Sequence, residues 1–339
     1  MNRRRVIYRV PPEPHEDVFG YLARVAARNH LPGMHSILSE VLGVKRTSIT
    51  FAEVSALADF CRLYPEEMLQ LSGIVERGCY GARTWRVCGH WVTKEPFVST
   101  RKAKICPACL YEAAFVRGEW TLSFYTSCAR HGVTLYDRCP KCRRAISWNR
   151  RAARYCSCGF DLATAEPIPA VQHSQLIAQL IGLRSGQVDA LTPSPCIDFV
   201  EHEKLATLTL DGLCKTLWFL GHCLGELGSY SVAHGRVKPM SSDADTIVLN
   251  ALHALNEWPK QFGELLSASK IRSQEDRAGT LLVRLLGPVD KYLRNELQDE
   301  ELQFVRIAYE QHLRQMWRSF GNKYRRLSNE RQLELDYGP

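Results

Sequence analysis

Cys106-Pro107-Ala108-Cys109, Cys128-Ala129-Arg130-His131, Cys139-Pro140-Lys141-Cys142 and Cys156-Ser157-Cys158 follow one another through the middle of this 339-residue chain. A tight turn between two such side chains lets both face one tetrahedral Zn(II), and a second turn from elsewhere in the chain completes a closed shell of four ligands. Four turns therefore make two sites. Taken in order, Cys106, Cys109, Cys128 and His131 form a site of three thiolates and one imidazole, and Cys139, Cys142, Cys156 and Cys158 form an all-thiolate site. A cross-braced arrangement, first turn with third and second with fourth, satisfies the same spacing. Either way the chain should hold two structural zinc ions, because a catalytic zinc keeps one position open for water and these shells are full. A disulfide framework needs an oxidising compartment, and no export signal is expected: behind Arg3-Arg4-Arg5 the apolar stretch is only Val6, Ile7 and Tyr8 before Arg9. A redox Cys-x-x-Cys centre would account for one pair, not for four in series.

Charge gathers in the same region. Residues 101–160 hold twelve Lys or Arg against Glu112, Glu119 and Asp137, a local +9 in a chain whose net charge is +8. The two thiolate-rich zinc shells, formally −1 and −2, reduce that to about +6, so the module stays basic. Arg143, Arg144, Arg150, Arg151 and Arg154 are the candidate nucleic-acid contacts here. A second set lies in the tail, where Arg314, Arg318, Arg325 and Arg326 alternate with Trp317, Phe320 and Tyr324. Helical spacing puts Arg314 and Arg318 on one face, suited to phosphate; a solvated face with its aromatics turned inward fits the same pattern.

Outside the metal module the periodicity is helical. Val18, Leu22, Val25 and Ala26 share a face of a helix beginning near Glu16, and Leu31-Pro32-Gly33 breaks it. A second helix carries Ile37, Leu38, Val41 and Leu42 and closes at Gly43. Val54, Leu57, Ala58 and Cys61 mark a third, and Pro65-Glu66-Glu67 a good first turn for a fourth, a run of helix-turn-helix size. After Pro167-Ile168-Pro169 more helices are expected at Leu176–Leu183, as one long apolar helix over Leu205–Leu224, at Asp243–Asn256, Gly279–Leu286 and Leu302–Phe320. Cys61, Cys214 and Cys223 read as core, and Cys196 in a Pro-rich loop carries no reading. Cys79, Cys88 and His90 suggest a third metal site that lacks a fourth ligand.

These elements predict a mainly α protein in three parts: an N-terminal helix-turn-helix-like domain over 1–80, a tandem zinc-ribbon module over 81–166 and a C-terminal helical domain over 167–339. With 45% hydrophobic and 24% charged residues the composition is that of an ordinary globular chain, and no apolar stretch is long enough to span a bilayer, so a cytoplasmic protein is expected.

Pro11-Pro12-Glu13-Pro14-His15-Glu16-Asp17, leading into Gly20-Tyr21-Leu22-Ala23-Arg24-Val25-Ala26, resembles the opening of TniQ proteins. The block from Ile105-Cys106-Pro107-Ala108-Cys109 through Trp120 to Cys156-Ser157-Cys158-Gly159 is similar to that family's zinc-ribbon region, so the resemblance covers about residues 8 to 165. One motif departs: the family's Cys-Pro-x-His-Gly is Cys128-Ala129-Arg130-His131-Gly132 here, with both ligands kept. Leu255-Asn256-Glu257-Trp258-Pro259-Lys260-Gln261-Phe262 further resembles the W-P-x-x-F junction of the related TnsD target selectors. The resemblance implies a prokaryotic, non-enzymatic adaptor of DNA transposition that joins a target-recognition complex to the AAA+ regulator TnsC. In CRISPR-associated transposons that complex is an RNA-guided, Cascade-type effector, and the adaptor acts in several systems as a homodimer. The alternative it implies is a sequence-specific DNA-binding selector of the TnsD kind. The residues agree on the absence of chemistry: there is no Gly-x-x-x-x-Gly-Lys-Ser/Thr loop to cradle triphosphate and no sheet-borne carboxylate cluster for two-metal phosphoryl transfer. His202-Glu203-Lys204-Leu205-Ala206 lacks the second histidine of a zinc-protease helix and reads as a helix start.

Overall fold

Asp17 starts the first helix by placing its carboxylate over the opening turn: Oδ1 accepts from the backbone N–H groups of Phe19 (2.8 Å) and Gly20 (3.1 Å). In the computed structural model, which describes residues 4–44, 48–77, 83–99, 102–148, 150–186, 203–223, 241–269, 289–290 and 292–320, this helix is α1 (Val18–Arg28). Its apolar face is buried, and Arg24 forks onto the buried Glu16 at 2.7 Å through both Nε and Nη2. Helix α2 (Met34–Leu42) ends on Gly43 in the left-handed region, as its sequence predicts. Helices α3 (Val54–Cys61) and α4 (Pro65–Leu69) follow, the latter with Pro65 in its first turn and the Glu67 carboxylate accepting from the Tyr64 N–H at 2.9 Å.

A four-stranded sheet interrupts this otherwise mainly α architecture, and nothing in the periodicity predicted it. Its order is β1 (Ile49–Thr50), β2 (Ile74–Arg77), β3 (Arg83–Val87), β4 (His90–Val92); β1 pairs with β2 in parallel and the rest is an antiparallel meander. Ile49, Ile74, Val75, Trp85, Val87 and Val92 are its buried hydrophobic residues. Strands of two to five residues are too short for an alternating pattern to stand out, and β1 finds its partner only across α3 and α4.

Contacts divide the chain into two units, Met1–Leu252 and His253–Pro339. Within the first, the zinc region is tied to the N-terminal helices through backbone: Asp17 N–H donates to Val116 O (2.9 Å), Gly118 N–H to His15 O (2.7 Å), and the Phe19 and Trp148 rings meet at 5.6 Å. Among its described residues from 102 onward the zinc region has one α-helix, α5 (Pro107–Glu112), two 3-10 turns, Gly118–Thr121 and Leu162–Thr164, and isolated bridges such as Ile105 with Tyr136, Arg138 with Ala145, and Tyr155 with Asp161. Beyond it, α6 (Gln172–Arg184) forms as expected, but the long helix over Leu205–Leu224 does not. It splits into α7 (Glu203–Ala206) and α8 (Leu210–Trp218), because the Thr209 hydroxyl accepts from Gly212 N–H (3.1 Å) and begins a fresh helix, while the Arg184 guanidinium takes the carbonyls of Leu205, Ala206 and Leu208. After α8 the backbone widens into a π turn, Phe219–Cys223, where a Cβ on Gly221 would stand 1.9 Å from the Ile247 carbonyl oxygen. Only glycine lets the helix Ser241–Leu255 approach so closely. That helix is also held by Asp245, whose Oδ1 accepts from the hydroxyls of Thr126 (2.5 Å) and Ser174 (2.6 Å).

In the second unit, Trp258 stacks on Phe262 (5.0 Å) and meets Phe304 edge-on (5.4 Å), joining the helix Lys260–Ser269 to Gln303–Phe320. The expected helix over Gly279–Leu286, together with Cys79, Cys196, Arg325 and Arg326, lies outside the described residues. Among the described residues no helix is long and apolar enough to cross a membrane.

Candidate metal centres and the basic surface around them

Each zinc set of the sequence assembles, and in the sequential pairing rather than the cross-braced one. The ligand atoms of Cys106, Cys109, Cys128 and His131 all lie within 4.8 Å of one another, and so do those of Cys139, Cys142, Cys156 and Cys158. Tetrahedral Zn(II) with bonds of about 2.3 Å to sulfur and 2.0 Å to nitrogen sets ligand-to-ligand edges of roughly 3.8 Å between sulfurs and 3.5 Å from sulfur to nitrogen. At the first site Cys109 Sγ stands 3.6 Å from Cys128 Sγ, and His131 Nδ1 stands 3.5, 3.3 and 3.5 Å from the sulfurs of Cys106, Cys109 and Cys128. At the second, Cys139 to Cys158 and Cys142 to Cys156 are both 3.8 Å. The donor sets fit zinc in both number and spacing. Bound there, the ion would cross-link distant loops and neutralise thiolates, a structural contribution.

Local backbone explains the spacing. Gly132 N–H returns to Cys128 O (2.8 Å) and Arg143 N–H to Cys139 O (2.8 Å), the same turn closing each ligand pair. The residue after the second ligand is left-handed in both, Gly132 at φ 63° and Arg143 at φ 60°. Cys156 N–H donates to Phe160 O (2.9 Å), and Gly159 N–H to Cys156 O (2.9 Å), to form the last turn. At the first site Cys106 is the N-cap of α5, its sulfur accepting from Cys109 N–H at 3.5 Å, so two ligands ride on one helix start.

Glu112, which no sequence motif marks, completes the first site. His131 uses Nδ1 toward the sulfurs, and its Nε2 meets Glu112 Oε1 at 2.8 Å; that bond holds the Glu112 carboxyl below the usual carboxylate range. A carboxylate behind a ligating histidine fixes the tautomer and the ring orientation. Glu112→Ala is expected to weaken metal holding at this site by roughly 10- to 100-fold in competition with a chelator, leaving the second site unchanged. The only sequence signal for it was position, at the end of the helix that carries Cys106 and Cys109.

The third site suggested by the sequence does not assemble. Cys79 is outside the described residues; Cys88 sits in the β3–β4 turn, where its N–H donates to Ser72 Oγ (2.8 Å) and its sulfur lies 3.6 Å from Glu119 Oε2; His90 Nε2 faces Arg184 O at 2.9 Å. Among the described residues only the two four-ligand groups come together. Burial pushes the Glu119 carboxyl up to about 7, so near neutrality it is protonated for about half the time.

The basic region is less exposed than its composition implies. Lys104 is buried, donating from Nζ to the carbonyls of Leu122 (2.5 Å) and Tyr125 (2.6 Å), and desolvation brings its amine down to about 7. Arg117 is buried too. Among the nominated contacts, Arg143, Arg144 and Arg151 are exposed, with Arg144 hydrogen-bonded to the Cys142 sulfur. Arg154 is spent on Asp161, its Nε at 2.9 Å and Nη2 at 2.6 Å from Oδ2. Arg150 has only 4% of its surface exposed, with its guanidinium carbon 5.8 Å from the Trp148 ring centroid, so the structure removes it from the surface set. Its neighbours are Asp17 and Cys156, and desolvation lowers its pKa to about 10. In the tail helix Arg314 pairs with Glu310 at 3.5 Å; Arg318 lies on the same helix.

Compared with known families, residues 7–135 match one, described as TniQ; the match takes in all four ligands of the first site and ends before those of the second. No curated protein matches the chain.

Proposed function

We propose that this protein, whose residues 7–135 match the TniQ family, is a non-enzymatic adaptor of DNA transposition with a part in target selection. It links a target-recognition complex, of the RNA-guided Cascade type, to the AAA+ regulator TnsC, with DNA or RNA backbone contacts as support and a homodimer as its working form. The N-terminal helices and first zinc site form the surface for TnsC, the second site with its exposed arginines the nucleic-acid surface, and the C-terminal helices the remainder of the assembly.

The observation that carries this reading over a direct DNA reader is the composition of the helices of helix-turn-helix size. Helix α2 reads Met-His-Ser-Ile-Leu-Ser-Glu-Val-Leu and α3 reads Val-Ser-Ala-Leu-Ala-Asp-Phe-Cys, with no Lys or Arg in either. A recognition helix lying in the major groove is flanked by phosphate and reads guanine chiefly through Arg or Lys, so these helices suit a protein surface better. The test is size-exclusion of the full-length, zinc-loaded protein with purified TnsC and, separately, with a guide-RNA effector complex. Co-elution with both is expected; failure to bind TnsC contradicts the adaptor reading.

A further inference from the structure

We infer that the face formed by Tyr111 and Tyr155 is a stacking platform for unpaired bases of single-stranded nucleic acid, with Arg151 and Arg143 beside it taking the phosphates. It rests on the reading of the second zinc site as the nucleic-acid surface and adds what kind of nucleic acid that surface takes. Tyr111 projects from α5 with 74% of its surface exposed, although its helix neighbours Cys109 and Leu110 are buried. Tyr155 is 45% exposed in the turn before Cys156. Helix α5 packs against Leu162–Thr164, directly after the bridge between Tyr155 and Asp161, which brings both rings to one side of the module.

Arg154 lies within electrostatic range of both tyrosines. Its guanidinium is not a free phosphate clamp, because Asp161 receives Nε on both carboxylate oxygens (2.9 Å each) and Nη2 at 2.6 Å. What the fork leaves is a planar, orientated cation whose broad faces can stack. Two exposed rings and a fixed guanidinium plane have no use for a duplex, whose base faces are covered by their neighbours. They suit splayed bases, which gain from each aromatic or guanidinium plane whatever their identity. Exposed Arg151, on the turn leading to Tyr155, and Arg143, beside the second zinc site, supply unspent positive charge for the backbone.

The test uses the full-length zinc-loaded protein and three labelled probes of equal phosphate number: an oligothymidylate 12-mer, an abasic 12-mer and a duplex. Tyr111→Ala with Tyr155→Ala is expected to weaken the oligothymidylate about tenfold or more while leaving the abasic strand and duplex within about twofold. Arg143→Gln with Arg151→Gln should weaken all three and flatten the salt dependence. Zinc content and melting temperature of each variant serve as folding controls. If the arginine pair matters but the tyrosine pair and the presence of bases do not, the stacking inference fails and the backbone reading stands. If neither pair affects any probe, the nucleic-acid reading of this surface falls and the stacking inference falls with it. Loss of co-elution with TnsC in the tyrosine variant, with binding to all probes intact, would make the face a protein contact and likewise overturn the inference.

Discussion

Cys139→Ser is expected to yield a chain with one zinc ion instead of two and a zinc module that no longer folds around the missing metal. A structural site contributes apparent folding free energy on the order of 10 kcal/mol, comparable with the whole stability of a domain, so no neighbouring contact can offset its loss. The second site holds together two turns, each closed by a bridge of its own, Arg138 with Ala145 and Tyr155 with Asp161. Cys106→Ser should do the same to the first site, where the metal clamps the start of α5 to the Cys128–His131 turn. Because the two shells share no ligand, each variant should keep the other ion. Elemental analysis of freshly purified, unchelated protein checks both points; one zinc or none in the unmodified chain contradicts the paired sites.

The second large effect concerns Arg150. Arg150→Ala is expected to lower stability by about 2 to 5 kcal/mol, the range for truncating a long buried side chain and leaving a cavity in its place. Asp17 lies nearby, but its carboxyl, pushed up to about 7 by burial, is held by two N–H groups at the start of α1 and takes no hydrogen bond from Arg150. Arg150→Met should recover most of the loss, because it keeps the volume against Trp148 while removing a cation whose burial is itself unfavourable. Urea midpoints of the two variants check this. A surface phosphate contact would behave in the opposite way, with Arg150→Ala losing affinity for nucleic acid at unchanged stability.

Arg150 also shows where reading the sequence stops. Its place among Arg143, Arg144, Arg151 and Arg154 marks it as one of a basic run, yet the chain turns it inward beneath α1, and only the fold reveals that. Lys104 and Arg117 are miscounted for the same reason: composition counts charges but not which carbonyls or rings receive them. The ligands, by contrast, are legible in the chain itself, since metal chemistry demands two donors on one tight turn and Cys-x-x-Cys meets that locally. Their pairing is a long-range property, decided by which turns the fold brings together. Helices α1 to α4 are legible because their caps or apolar faces lie within each segment, from Asp17 ahead of Val18 to Gly43 after Leu42, and α6 from the spacing of Leu176 and Leu180. The sheet is not, because its strands are short and the hydrogen bonds that define β1 belong to β2, beyond two helices. The break between α7 and α8 depends on Arg184, distant in sequence, and so looks like continuous helix when hydrophobic spacing alone is read.

How the target is found is the central claim, and competition binding at fixed, physiological ionic strength tests it most directly. An adaptor should bind duplex DNA weakly through the exposed arginines around the second zinc site, fall steeply in affinity as salt rises, and treat one duplex as another. Helices α2 and α3, without Lys or Arg, offer no row of side chains for base edges. The predicted result is therefore that unrelated duplexes displace a labelled insertion-site duplex from the zinc-loaded protein as well as the site itself does. Preference for one site by roughly 4 kcal/mol or more over random DNA, shown by the protein alone, would contradict the adaptor account and make it a direct selector.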